Sequence, residues 1–314
     1  ISKRQDVSLA YLEQLFVKLR RAGLVDSVRG PGGGYRLARP AAEMRVSDIF
    51  GAVDETVSAM HKGAGASGGA SGSRAQSLVV KDGRCVAVRY RRDGEPMTAS
   101  ARHDVILSAG AVDSPRLLLL SGIGPAEELQ ELGIPVVHDL PGVGRNLHDH
   151  PLCSVVYEAT QPIPPASTNH AEVSMLWRSD DDLDGPDMQL MFIHVPFHQP
   201  TLVAPENSIT FGVPTVPDSR GSVRLATANP EDLPLIDPAY LTATSDVDRL
   251  VDAIAVARNI AATDAFATWG LTEVLPGAAV DSDAALRDYV ARGTGTYYHP
   301  VGTCAMGTGP DSVV

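Results

Sequence analysis

Gly110–Gly124 reads GAVDSPRLLLLSGIG. The run before it, Val105-Ile106-Leu107, is short and fully apolar and leads into Ser108-Ala109-Gly110, so the pattern predicts a strand ending in a tight turn. Ser114-Pro115 reads as a helix start, and Leu117–Leu120 supply the apolar body of that helix. Ser121-Gly122-Ile123-Gly124 then stops it. Strand, turn and helix in this order place the body of the chain among folds that combine sheet and helix.

Moving outward, Arg84–Arg91 alternates Cys, Ala and Arg with Val, Val and Tyr, as a half-buried strand does. Asp246–Ala262 sets Val247, Leu250, Val251, Ile254 and Ala257 on one face and is predicted as an amphipathic helix. The proline-bearing stretches at 162–165 and 196–205 read as loops, and no internal repeat is present. Upstream, Gly63–Ser73 reads GAGASGGASGS, with almost nothing to bury, and is predicted as a linker. Its Gly63, Gly65 and Gly68 spell G-x-G-x-x-G, but a dinucleotide turn needs a buried strand before it and a helix after it. Ser58-Ala59-Met60-His61-Lys62 supplies no such strand. Before the linker, Ser8–Arg21 reads as a helix with Leu12, Leu15, Phe16 and Leu19 on one face, ended by Gly23. Val25–Leu37 then reads as two short strands about a Gly/Pro turn at 30–34, and a further helix is expected near 46–53.

Composition sets the outer limits. At 314 residues, with 44% hydrophobic and 20% charged residues, the chain buries a sizeable core and is not a disordered one. No apolar run reaches the ~20 residues of a spanning helix. Cys85, Cys153 and Cys304 are too few and too scattered for a disulfide framework, which makes a reducing, cytoplasmic setting the expectation. The net charge of −12 hides a split: residues 1–62 carry ten Lys/Arg against seven Asp/Glu, and residues 63–314 carry sixteen against thirty-one. A basic head precedes an acidic body.

The string Gly110–Gly124 closely resembles the second signature of the glucose–methanol–choline (GMC) oxidoreductases. Matching motifs follow in order: LPGVGRNLHDHP (140–151), PDMQL (186–190), PDSRGSVRL (217–225), PLIDPAYL (234–241) and YYHPVGTCAMG (297–307). The resemblance covers 79–314 and implies an FAD-dependent oxidation of an alcohol, choline-like or aliphatic and primary. Such a reaction needs a base for the hydroxyl proton and an acceptor for hydride, which no side chain provides. It implies that His299 is the base beside the flavin, with Pro300 next to it. It also implies that the backbone at Ala109 and Gly110 touches FAD and that Val80 lies on the strand whose backbone meets the adenine. The acidic body tolerates a cationic substrate. The family's N-terminal phosphate-binding loop and the segment carrying its second catalytic residue lie outside the resemblance, so weak FAD binding and impaired turnover are expected of the chain as it stands.

Other histidines invite metal readings. His148-Asp149-His150 are adjacent residues that point apart on an extended chain, and Pro196 between His194 and His198 argues against a helical pair. No metal site is assigned, and Cys304 reads as a packed small residue.

The head, SLAYLEQLFVKLRRAGLVDSVRGPGGGYRLARP (8–40), resembles the recognition helix and wing of the IscR-type regulators that sense iron–sulfur status, over roughly residues 1–77. The resemblance implies that Ser8, Tyr11 and Gln14 face base edges, while Lys18, Arg20, Arg21 and Arg29 meet phosphates. Without that module's dimerisation helix, binding to DNA through residues 1–40 is expected to be weak.

The fold class expected is therefore α+β or α/β. It comprises a substrate domain of antiparallel sheet with helices and part of an FAD-binding domain, preceded by a partial winged-helix segment. The expected boundaries are 1–62 for the winged-helix segment, 63–78 for the linker and 79–314 for the oxidoreductase. Within the last, 79–150 belongs to the FAD domain, 151–290 to the substrate domain and 291–314 to the histidine loop. The alternatives are a DNA-binding regulator with a repurposed body, or an inert fusion.

Overall fold

The computed structural model describes residues 16–17, 19–28, 34–40, 73–165 and 170–314. They fall into two compact units: residues up to Val79 with Val86–His103, and Val80–Cys85 with Asp104–Val314.

In the first unit, helical backbone ends at Arg21 and Gly23 reverses the chain at φ +68°, a conformation glycine adopts without strain. β1 (Val25–Val28) and β2 (Gly34–Leu37) then pair antiparallel, so the predicted strand pair forms. Phe16 stacks on Tyr35 with ring centroids 4.3 Å apart, and Leu24 and Val25 are buried. Of the linker expected at 63–78, residues 73–78 are strand rather than linker; residues 63–72, the G-x-G-x-x-G and the helix expected near 46–53 lie outside the described residues. β3 (Ser73–Lys81), β4 (Arg84–Arg92) and β5 (Glu95–Ser100) form a three-stranded sheet in that order. Both reversals are Asp-Gly pairs with positive φ at both positions, Asp82-Gly83 and Asp93-Gly94, the turn whose twist matches the flanking strands.

The second unit opens differently from its sequence reading. Val105-Ile106-Leu107 is no strand: it is irregular, and Ile106 is 88% exposed. A run apolar on both faces makes a strand only between neighbours that pair with it, and among the described residues none does. The helix that follows, α1 (Gly110–Leu120), starts four residues before the expected Ser-Pro and takes Pro115 into its interior. β6 (Ile123–Gly124), α2 (Ala126–Glu131) and β7 (His138–Asp139) follow, β6 and β7 pairing in parallel. Leu119 of α1, Leu129 of α2, Ile134 and Val143 form one small core.

The main sheet is built from β8 (Pro151–Glu158), β9 (Ala171–Trp177), β10 (Met188–Ile193), β11 (Ser208–Pro214), β14 (Thr272–Leu275) and β15 (Gly295–Thr296). Its order is β14-β8-β11-β10-β9, with β15 also on β8, and its pairings are antiparallel. β12 (Ser222–Arg224) and β13 (Leu235–Asp237) form a separate pair. α3 (Thr244–Ala261) is the predicted amphipathic helix, with Leu250, Ala253, Ile254 and Ala257 fully buried. It packs with Tyr289 and Val290 of α4 (Asp283–Gly293) against Val155 of β8 and Phe211 and Val213 of β11. Among the described residues no helix is long and apolar enough to cross a membrane.

Candidate active site

Two stretches lie side by side and build the site. The chain entering β8 and the chain leaving β15 run antiparallel: His148 and Val301 exchange N–H···O bonds of 3.0 and 2.8 Å, and the Tyr297 amide donates to the His150 carbonyl at 3.2 Å. The Gly144 amide donates to the Thr303 carbonyl at 2.9 Å. This close approach needs glycine at 302, where φ is +96° and a Cβ would collide with the Asn146 carbonyl oxygen.

Asp149, in the stretch entering β8, is 6% exposed and bonds across to the other stretch. Its Oδ1 accepts the His299 amide at 2.8 Å. Its Oδ2 accepts the Tyr240 hydroxyl at 2.6 Å and also the Thr296 hydroxyl. Thr296 Oγ1 in turn accepts the Tyr298 amide at 2.8 Å. Tyr298 has φ +64°, the left-handed region that a residue with a bulky side chain enters at a cost. Desolvation raises the Tyr240 phenol pKa, and its hydrogen bond to Asp149 raises it further, which keeps this hydroxyl a donor.

The turn presents His299 and Pro300 as exposed residues. The His299 ring packs 4.2 Å from Tyr297, centroid to centroid, and stands edge-on to His150 at 5.8 Å. His150 Nδ1 lies 2.9 Å from the Thr215 carbonyl. A carbonyl only accepts, so Nδ1 carries the proton. Tyr297 is fixed from its other end, its hydroxyl 2.9 Å from Met191 Sδ. Burial, with smaller contributions from Arg220 and His150, holds His148 below the ordinary imidazole range. Burial also raises the Cys304 thiol, which suits a packed residue rather than a nucleophile.

α1 joins this loop through a bond that its sequence makes available. Pro115 has no amide, so the carbonyl of Ala111, four residues earlier, loses its helical partner. The hydroxyl of buried Thr303 donates to that carbonyl at 2.6 Å. Ala109 and Gly110, at the head of α1, are thereby tied to the loop bearing His299 and Pro300. Both are exposed; Gly110 has φ +81° and open space where a Cβ would be. The first-turn amides of α1 have no intrahelical carbonyl to bond, and Ala109 supplies no side-chain cap. The Ala109 amide itself donates to Ser114 Oγ at 3.0 Å. An open helix end beside an exposed, backbone-rich loop fits the flat, acceptor-bearing ring system of FAD.

Of the residues picked from sequence, His299 and Pro300 lie on the loop, and Ala109 and Gly110 at the helix start, that the Thr303–Ala111 bond joins. Val80 is half-buried on β3. Arg20 and Arg21 are exposed at the end of the first unit's helix, while Ser8, Tyr11, Gln14 and Arg29 lie outside the described residues. Sequence reasoning missed Asp149, Thr296, Tyr240 and Thr303 as supports. The Pro115 inside an otherwise apolar helix was a legible signal for the last, because it forecasts an unpaired carbonyl at Ala111.

Comparison with known proteins finds two families, whose matches overlap at residues 50–86. Residues 50–152 and 217–314 match the N- and C-terminal models of the GMC oxidoreductase family, and residues 1–86 match the Rrf2 model, described as an iron-dependent transcriptional regulator. Choline oxidase of Arthrobacter globiformis is 40% identical over 253 residues, covering 77% of this chain and 46% of that protein. The HTH-type transcriptional regulator IscR of Cereibacter sphaeroides is 80% identical over 78 residues, covering 25% of this chain and 50% of the regulator. Pyridoxine 4-oxidase from Mesorbium loti superposes with a TM-score of 0.73 at 34% identity, covering 77% of this chain and 48% of that structure. The chain thus spans about half the length of the relatives it matches. The two oxidoreductase models together account for more than half of this chain and hold its site loop and α1, so over that part it belongs to the GMC oxidoreductase family, while residues 1–86 match the Rrf2 model.

Proposed function

We propose that this chain contributes to the FAD-dependent oxidation of an alcohol, choline-like or aliphatic and primary, with His299 as the base that takes the hydroxyl proton. The observation that carries this reading is the tether between Thr303 and Ala111, which joins the exposed His299 loop to the open end of α1. FAD, when bound, supplies the hydride acceptor. Ala109, Gly110 and Pro300 bound the ring, and the backbone of Val80 serves the adenine end. His299 receives the proton from the substrate hydroxyl, its ring held by Tyr297 on one side and the Asp149 contact on its backbone. The acidic body favours a cationic alcohol such as choline over an anionic one.

The test is His299→Ala in flavin-loaded protein. Turnover should fall by ~10² or more with FAD retained, as expected for loss of a general base. Undiminished turnover would remove His299 from the mechanism. A second reading, weak binding of duplex DNA by the first unit, is supported by Arg20 and Arg21, exposed at the helix end next to the β1–β2 pair.

A further inference from the structure

Asp149 has the surroundings of a group with a defined task. It is almost fully buried, no lysine or arginine among the described residues bonds to it, and it receives three donors. Two of them, the His299 amide and the Thr296 hydroxyl, belong to the loop that presents the imidazole. Through Thr296 the carboxylate also holds the Tyr298 amide, so two successive amides of a left-handed turn depend on one side chain. The third donor, Tyr240, comes from the far end of the PLIDPAYL motif and fixes the carboxylate itself.

A left-handed tyrosine persists only where its surroundings over-determine it. Here the Tyr298 and His299 amides run to side chains, Thr296 and Asp149, rather than to a neighbouring strand, and Asp149 sits on the entry to β8. We infer that Asp149 is a positioning residue for His299: it holds the turn at Tyr298 in its left-handed form and so fixes where the imidazole meets the reacting hydroxyl. This role rests on the reading of His299 as the base, and it assigns a purpose to the middle residue of His148-Asp149-His150 other than metal binding.

The role needs acceptors, not charge alone, and this separates it from general stability. Asp149→Leu removes every acceptor and keeps the branched shape of the side chain, with two bulkier methyl groups in place of the oxygens. Asp149→Asn keeps one carbonyl oxygen for the His299 amide, and its NH₂ can donate to the two hydroxyls. Hydrogen–deuterium exchange on the chain without flavin reads the loop directly. In Asp149→Leu the 296–303 segment should exchange roughly 10-fold faster or more, as an unsatisfied buried donor requires, while α3 and β11 change by less than about 2-fold. Asp149→Asn should stay within about 3-fold of the parent. If Asp149→Leu does not fold, Thr296→Val serves instead, since it cuts only the relay to Tyr298. Its Tyr298 amide should then exchange faster while that of His299 does not.

In flavin-loaded protein, Asp149→Leu should lower kcat by roughly 10-fold at nearly constant KM, and Asp149→Asn should recover most of it. Unchanged exchange at 296–303 in Asp149→Leu, or acceleration spread evenly through the unit, would overturn the inference. Equal loss of kcat in the Asn and Leu variants would overturn it as well, because charge rather than an acceptor would then be the requirement. Full turnover in His299→Ala would sink the base assignment instead, and the exchange result distinguishes that failure from this one.

Discussion

Asp246 stands in the first turn of α3, where an acidic residue ordinarily meets solvent and the helix dipole. Here it is 0% exposed and accepts four bonds: the Asp218 amide at 2.7 Å, the Ser219 amide at 3.0 Å, the Ser219 hydroxyl at 2.5 Å and Arg249 Nη2 at 2.6 Å. The PDSRGSVRL motif is thereby folded onto the helix start. Asp246→Ala would strand two amides and leave Arg249 to Asp218 and the Val216 carbonyl, and the expected cost is about 2–4 kcal/mol, to be read from denaturant unfolding. A loss under about 1 kcal/mol would show the motif to be held by other contacts. His148 makes a pH-dependent counterpart. Its folded pKa lies below the ordinary value of 6.5, chiefly through desolvation. The unfolded chain therefore takes up a proton first as pH falls, so stability is full above about 6.5 and declines below it, levelling once the folded state also titrates. His148→Gln should flatten this slope below about pH 6.5 in a series of thermal melts. An unaltered slope would place the titration elsewhere.

Among the elements, α1 shows how a proline can serve a distant loop. It withdraws one amide from the helix, and Thr303 fills the place left at the Ala111 carbonyl. Thr303→Val should cost about 1–3 kcal/mol by leaving that buried acceptor unpaired. In a Pro115→Ala background the residue-115 amide can bond Ala111 itself, so the same substitution should cost less. A double-mutant cycle should return a coupling of about 1 kcal/mol between positions 115 and 303, and strict additivity would refute the exchange of partners. Other elements differ in how far local pattern reveals them. α3 was legible because Leu250, Ile254 and Ala257 repeat at helical spacing on a face that packs on the sheet. β8 and β11 are buried along nearly their whole length, on both faces, so no alternation marks them. The run at 105–107 has the same apolar character and forms no strand, because pairing, not composition, makes the element. The site was legible where chemistry demands a residue type, as at His299. Its supports were not, since Asp149, Tyr240 and Thr296 converge from positions up to 147 residues apart.

Charge is the property that the two parts of the sequence share least. Residues 1–62 carry ten basic against seven acidic side chains, and 63–314 carry sixteen against thirty-one. A duplex is itself polyanionic, so the net charge of the acidic body disfavours its approach to the chain. Two salt effects then oppose each other. Each phosphate that the head neutralises releases counterions and steepens the decline of log K with log salt by about 0.9. Screening of the body's repulsion, effective once the Debye length falls to about 10 Å at 0.1 M, makes the decline shallower. Binding should therefore be weak at every salt concentration, with a slope smaller than the number of basic groups suggests. Replacing Arg20 and Arg21 by Ala removes exposed cations without touching the buried Leu24 and Val25. In fluorescence-anisotropy titrations of a labelled duplex from about 0.05 to 0.2 M salt, that double variant should lower the slope by about two, one phosphate for each arginine. It should do so equally on unrelated sequences, because phosphate contacts carry no sequence information. A slope unchanged by the double substitution would show that these arginines do not meet the backbone. Tight, sequence-selective binding at about 0.15 M salt would mean that base contacts outweigh the repulsion of the acidic body, and the regulator reading would then displace weak binding.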